Sequence, residues 1–134
     1  MLFRSFFKRD DPNDPWVSRE SHIAKSGKME ITLIKTVFES LEGVDFTSNA
    51  KGQVQAIRSK EVAFNRIFVA DAKIKGAEAK RLSSSTIIKG KKFAIESLCI
   101  TKNDTLWAVH VVFESNDERQ KLVEELLGSV ALAP

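Results

Sequence analysis

Two histidines, one cysteine and a dense set of lysines are the side chains with chemistry to offer in this 134-residue chain. His22 and His110 stand far apart, and neither falls in an HExxH or paired-histidine spacing, so no histidine metal site is expected. Cys99 is alone, which excludes an internal disulfide and any multi-cysteine zinc site. As a nucleophile it would need a base and an electropositive setting. A hairpin turning at Asn103-Asp104 pairs Cys99 with Ala108 and Ser97 with His110, which leaves Cys99 and His110 only diagonal neighbours. Cys99 is expected as a small packed residue and His110 as a half-exposed structural strand residue. Asp10, Asp11 and Asp14 lie in a Pro-rich turn without calcium-loop spacing, and no GxxxxGK[ST] or GxGxxG loop occurs. These observations predict a non-enzymatic protein without a cofactor.

The lysines carry more information. Residues 51–102 hold twelve Lys and Arg against four Asp and Glu, whereas residues 1–50 hold seven against eight and residues 103–134 two against six. A modest net charge of +3 therefore hides a strongly basic middle. Lys73 and Lys75 fall on the non-core face of a long strand, and Lys80 and Arg81 in a break that also carries Ser83-Ser84-Ser85-Thr86. Lys89, Lys91 and Lys92 surround Gly90 in a basic turn. Lysines, hydroxyls and free amides converging at one end of a sheet are what phosphate contacts require. The leading expectation is a small binding protein that takes nucleic-acid phosphate through Lys73, Lys75, Lys80, Arg81, Lys89, Lys91 and Lys92, with low sequence specificity and steep salt dependence. Surface lysines also serve solubility and protect sheet edges.

Two other expectations compete. One is an adaptor or chaperone-like module with an acidic protein partner, whose helices could present a groove or pair two copies of the chain. The other is a membrane-surface phospholipid binder, with Phe3, Phe6 and Phe7 among Arg4, Lys8 and Arg9 as a peripheral contact. Arg4 interrupts the apolar run and Asp10-Asp11-Pro12 follows, which argues against a secretory signal. With one cysteine and no apolar run of membrane-spanning length, a cytoplasmic location is expected.

Residues 1–15 form a basic-aromatic segment and a Pro-rich linker, 16–128 one α+β domain, and 129–134 a loosely ordered tail. Asp14-Pro15 can start a helix over 16–25 that Ser26-Gly27 interrupts. Met29, Leu33, Ile34, Val37, Phe38 and Leu41 recur at helical spacing before Gly43 and predict an amphipathic helix. Short strands are expected over 44–47 and 53–59 around a loop at 48–52, then one long strand over 62–74 and the break over 76–85. A hairpin of 92–101 and 105–114 should pair Ile100 with Trp107, Leu98 with Val109, Glu96 with Val111 and Ala94 with Phe113. Ser115-Asn116-Asp117-Glu118 resembles a capping box, opening a helix that buries Leu122, Val123, Leu126 and Leu127 and ends at Gly128. The sum is an α+β fold: a mostly antiparallel sheet of about five or six strands, flanked by an N-terminal amphipathic helix and a C-terminal helix. Arg66 and Glu96 interrupt otherwise apolar strand faces, and burying either unpaired is costly, so they are expected to approach each other.

Overall fold

A computed structural model describes residues 2–8, 16–39, 45–56 and 66–132. The strands among them are β1 (Leu2–Lys8), β2 (Trp16–Ser26), β3 (Met29–Phe38), β4 (Phe68–Ile74), β5 (Ala77–Ile88), β6 (Lys91–Lys102) and β7 (Thr105–Glu114). They form one sheet in the order β1-β2-β3-β7-β6-β5-β4, every neighbouring pair antiparallel. Helix α1 (Phe46–Ala56) lies between β3 and β4 in sequence, and α2 (Asp117–Gly128) follows β7. The fold is thus α+β with an antiparallel sheet, as the sequence suggests.

The two helices pack on opposite faces of the sheet's middle. Under α1, Ala50 and Val54 meet Phe38, Leu82, Ile95, Cys99, Leu106 and Ala108. Under α2, Val123 and Leu127 meet Ala94, Leu98, Ile100, Val111 and Phe113. Because both faces of β6 and β7 are covered, β6 reads as a nearly unbroken apolar run. The β6–β7 register matches the sequence expectation pair for pair, including Cys99 with Ala108 and Ser97 with His110. Asn103 supplies a turn φ of 55°. The Asn116 side chain caps α2 by accepting from the Arg119 amide at 2.7 Å, with Asp117 and Glu118 in the first turn.

Other elements differ from expectation, each for a local reason. Residues 29–38 form a strand, not a helix. Thr32, Ile34, Thr36 and Phe38 are buried on the α1 side while Met29 and Ile31 pack on the α2 side. Apolar residues on both sides of a strand mimic helical spacing. The β-branched run Ile31-Thr32…Ile34…Thr36-Val37 is the signal that favours extended chain. Residues 16–25 likewise extend as β2. Conversely, 46–56 is helical where short strands and a loop were expected. Thr47, Ser48, Asn49 and Gly52 give it weak intrinsic propensity. Asp45 compensates as its cap, accepting from the Ser48 amide at 3.1 Å and the Ser48 hydroxyl at 2.9 Å. The break expected over 76–85 is the first part of β5, and the hydroxyl run lies mid-strand, where the Ser84 hydroxyl donates to the Arg66 carbonyl at 2.5 Å. Residues 9–15, 40–44 and 57–65, which include the linker and the start of the expected long strand, lie outside the described residues. So do the side chains of Phe3, Phe6 and Phe7, the expected membrane contact.

Candidate functional site

The topology decides what the lysines can do together. β5 runs from the Lys75-Gly76 turn at one end of the sheet to the Lys89-Gly90 turn at the other. Its twelve residues separate the two turns by roughly 35 Å. That is several times the screening length of about 10 Å at moderate salt. The seven basic residues that stand out in the sequence therefore do not converge. Lys73 and Lys75 lie at one end, and Lys89, Lys91 and Lys92 at the other.

The two residues between them are engaged within the protein. Lys80 pairs with Asp71 across β4 and β5, which holds the Asp71 carboxyl below its usual range through the lysine hydrogen bond. Arg81 donates to Glu124 of α2 at 3.0 Å and to Glu96 of β6 at 3.3 Å. The Gln120 amide lies 3.4 Å from both carboxylates. Burial raises the Glu96 pKa against the pull of Gln120 and Arg81, whereas the Arg81 hydrogen bond lowers that of Glu124. Arg81 is thus the clamp joining β5, β6 and α2. The charge that Glu96 needs comes from Arg81 rather than from Arg66, whose guanidinium is instead 5.2 Å from the Phe68 ring centroid.

Two turns stand at the far end of the sheet. The β2–β3 turn is Gly27-Lys28 and the β5–β6 turn is Lys89-Gly90. Between them the ends of β3, β6 and β7 enclose a cleft of about 350 Å³, lined by Met29, Phe93, Val112 and Phe113 with Lys25, Lys28, Glu30 and Glu114 at its rim. Lys25 lies 3.8 Å from Glu30 and Lys28 3.9 Å from Glu114. These are long, exposed pairs of the kind that contribute little. Lys89, Lys91 and Lys92 are exposed beside them. Two cations and two acids thus rim the apolar floor, and three further lysines stand at the β5–β6 turn at the same end of the sheet. Lys89 adopts φ 52° and Gly90 φ 78°. Asn or Gly fits the first of these positions better than lysine, so the turn accepts local strain while placing a cation at its tip. Lys25 and Lys28 are not among the cations expected from the sequence, although they flank the Ser26-Gly27 break.

The opposite end has a different make-up. A cavity of about 340 Å³ beside the start of α1 is lined by Asp45, Thr47, Glu78 and Lys80 over Phe46, Leu82, Cys99 and Leu106. Its one lining cation is the lysine already bound to Asp71.

Between the two ends, the α1 side of the sheet carries a buried polar seam. The Ser97 hydroxyl is 2.6 Å from His110 Nδ1, and His110 Nε2 is 2.9 Å from the Gln53 amide oxygen. The Gln53 amide nitrogen donates to Asn49 at 3.3 Å, which fixes that oxygen as the acceptor and so puts the imidazole proton on Nε2. Arg19 extends the seam, donating to Asn49 at 3.1 Å and to Thr36 at 3.0 Å. Burial lowers the His110 pKa to about 4 and pushes the Cys99 thiol up to about 12. At neutral pH the imidazole is therefore uncharged and the thiol protonated, and both serve packing. No group of three or more His, Cys, Asp and Glu among the described residues is arranged to hold a metal ion. No helix among them is long and apolar enough to cross a membrane.

No protein-family model matches the chain, and no curated protein matches it. Several solved structures resemble it, PA94 and LpqN among them. Protein PA94 of Pseudomonas aeruginosa, a protein of unknown function, superposes with a TM-score of 0.53 at 12% identity over 100% of this chain and 85% of its own. LpqN of Mycobacterium tuberculosis, involved in cell envelope biogenesis, gives 0.51 at 10% identity over 99% of this chain and 92% of its own. The likeness is one of fold alone. The chemistry of the site rests on its own residues.

Proposed function

We propose that this protein is a non-enzymatic interaction module that grips an acidic, apolar-bearing segment of a protein partner in the cleft between the Gly27-Lys28 and Lys89-Gly90 turns. The observation that carries the reading is an apolar floor (Met29, Phe93, Val112, Phe113) rimmed by Lys25, Lys28, Glu30 and Glu114, at the same end of the sheet as the exposed lysines Lys89, Lys91 and Lys92 of the β5–β6 turn. A nucleic-acid backbone would use the cations and leave the floor unfilled. A peptide with carboxylates next to Leu or Phe would use both, the apolar contact supplying affinity and the charges orientation and encounter rate. The splitting of the remaining lysines favours the same reading. A track of phosphates needs cations along a path, whereas Lys80 and Arg81 are tied to Asp71, Glu96 and Glu124.

Fluorescence anisotropy tests this with three probes: a labelled peptide alternating Glu with Leu and Phe, the same peptide with Glu replaced by Gln, and single-stranded DNA. The acidic-apolar peptide should bind most tightly. The Lys89→Glu/Lys91→Glu/Lys92→Glu variant should weaken it at least ~10-fold, or about 1.4 kcal/mol. Tighter binding of the DNA, lost in the same variant with a steep salt slope, would instead establish the phosphate reading.

A further inference from the structure

The free edge of β4 is the second surface that stands out. β4 and β1 terminate the sheet, and within β4 the residues Phe68, Val69, Ala70, Asp71 and Lys73 are exposed. Phe68 and Val69 are 57% and 39% exposed, so the edge is apolar as well as open. Natural edge strands discourage pairing with charge, and β4 carries two charges on one face, Asp71 and Lys73. They have opposite signs and flank Ala72 symmetrically. Antiparallel pairing of two copies about a two-fold axis through Ala72 therefore sets Asp71 of each copy against Lys73 of the other. It also sets Ala70 of each copy against Ile74 of the other. Opposite charges directly across a ladder stabilise the pairing, whereas a register shifted to centre on Asp71 would oppose two carboxylates.

We infer that β4 is a self-complementary edge through which two copies of this chain join their sheets. The same-face series Phe68, Ala70, Ala72 and Ile74 from each copy then makes one apolar strip, continuous with the α2-side core against which Ala72 and Ile74 already pack. Lys73 stands across from Glu78 of β5 without forming an ion pair with a described residue, so a second copy can share its charge. Asp71, already beside Lys80, gains a second cation. The contact is isologous and closed, as a two-fold interface must be. With a seven-residue strand it lies at the small, transient end of interface sizes.

Sedimentation velocity with a charge swap tests the inference. The wild-type protein should show reversible dimer formation as concentration rises toward ~1 mM, in keeping with a small interface. Lys73→Asp sets a new carboxylate on each copy against Asp71 of the other, and Asp71→Lys opposes lysine with lysine. Each variant alone should dimerise at least ~10-fold more weakly than wild type. Mixed one to one, the two variants restore complementary pairs and should associate as a heterodimer, seen by native mass spectrometry from their different masses. The circular dichroism spectra of both should match wild type, since the substituted positions are exposed. Wild-type protein that stays monomeric throughout the range, Lys73→Asp that dimerises like wild type, or a mixture with no heterodimer would each overturn it. None of these results bears on the cleft, which lies at the other end of β5.

Discussion

The two ends of the sheet carry similar lysine counts and opposite potential as sites. At the Gly27-Lys28 and Lys89-Gly90 end, Lys25, Lys28, Glu30 and Glu114 rim a floor of Met29, Phe93, Val112 and Phe113, and Lys89, Lys91 and Lys92 are exposed at the β5–β6 turn. At the Lys75-Gly76 and Asn103-Asp104 end, Lys73 stands across from Glu78 in the ladder and Lys102 precedes Asp104. The cavity there is rimmed by Asp45 and Glu78. A lysine count is therefore not a site. What distinguishes the first end is uncompensated charge next to apolar surface that a partner can cover.

The largest expected effect would blur the comparison, because it acts on the middle that holds both ends. His110 has a native pKa of about 4 against an ordinary 6.5. Between those pH values the unfolded chain binds a proton that the native protein excludes, so stability is fully present above pH 6.5 and falls as pH drops toward 4. Urea unfolding across this range should show a loss approaching about 3 kcal/mol. His110→Gln should flatten that slope while lowering stability at pH 7, and a wild-type slope in the variant would show that other groups govern it. Binding at the two ends must therefore be compared near neutral pH.

Arg81 comes next. If it is a clamp rather than a ligand contact, Arg81→Gln should lower stability by about 1–2 kcal/mol, a screened fraction of a fully buried pair, by freeing Glu96 and Glu124. Peptide binding at the cleft should stay within ~2-fold of wild type, since the clamp is remote from it. A large loss of binding with unchanged stability would return Arg81 to the binding surface.

The smallest effects sharpen the contrast most finely. Glu30→Gln/Glu114→Gln removes the two acids beside the cleft and should tighten an acidic peptide by about 3-fold, in line with exposed charge pairs. Lys73→Glu/Lys75→Glu, at the opposite end, should leave the same affinity within ~2-fold because salt screens charges at that distance. Equal effects from both pairs of substitutions would mean that the protein acts through its overall field and not through a cleft.

The sequence reveals the elements in which one signal dominates. The β6–β7 register follows from the turn at Asn103-Asp104, and α2 from the capping sequence Ser115 to Glu118, although Asn116 rather than Ser115 is the cap and Leu122 of the expected buried stripe is exposed. β3 misleads because Met29 and Ile31 pack on one face while Ile34 and Phe38 pack on the other, so its apolar residues imitate a helix. α1 is hidden by Thr47, Ser48, Asn49 and Gly52, although Asp45 three residues before Ser48 is a cap signal. For the site, the cations are legible residue by residue, but their grouping is not. A break over 76–85 would bring Lys75 and Lys89 to one end; the hydrogen-bonded length of β5 separates them. Tertiary pairing also decides which charges are already used, and neither Asp71–Lys80 nor Arg81–Glu124 is visible in local sequence.

The most direct test of the cleft is amide chemical-shift mapping during titration with the acidic-apolar peptide at pH 7. The account predicts that shifts concentrate in residues 25–30, 89–93 and 112–114, with the amides of 73–78 and 102–104 unmoved. Shifts centred on 73–78 and 102–104, or spread evenly over exposed lysines at both ends, would contradict it.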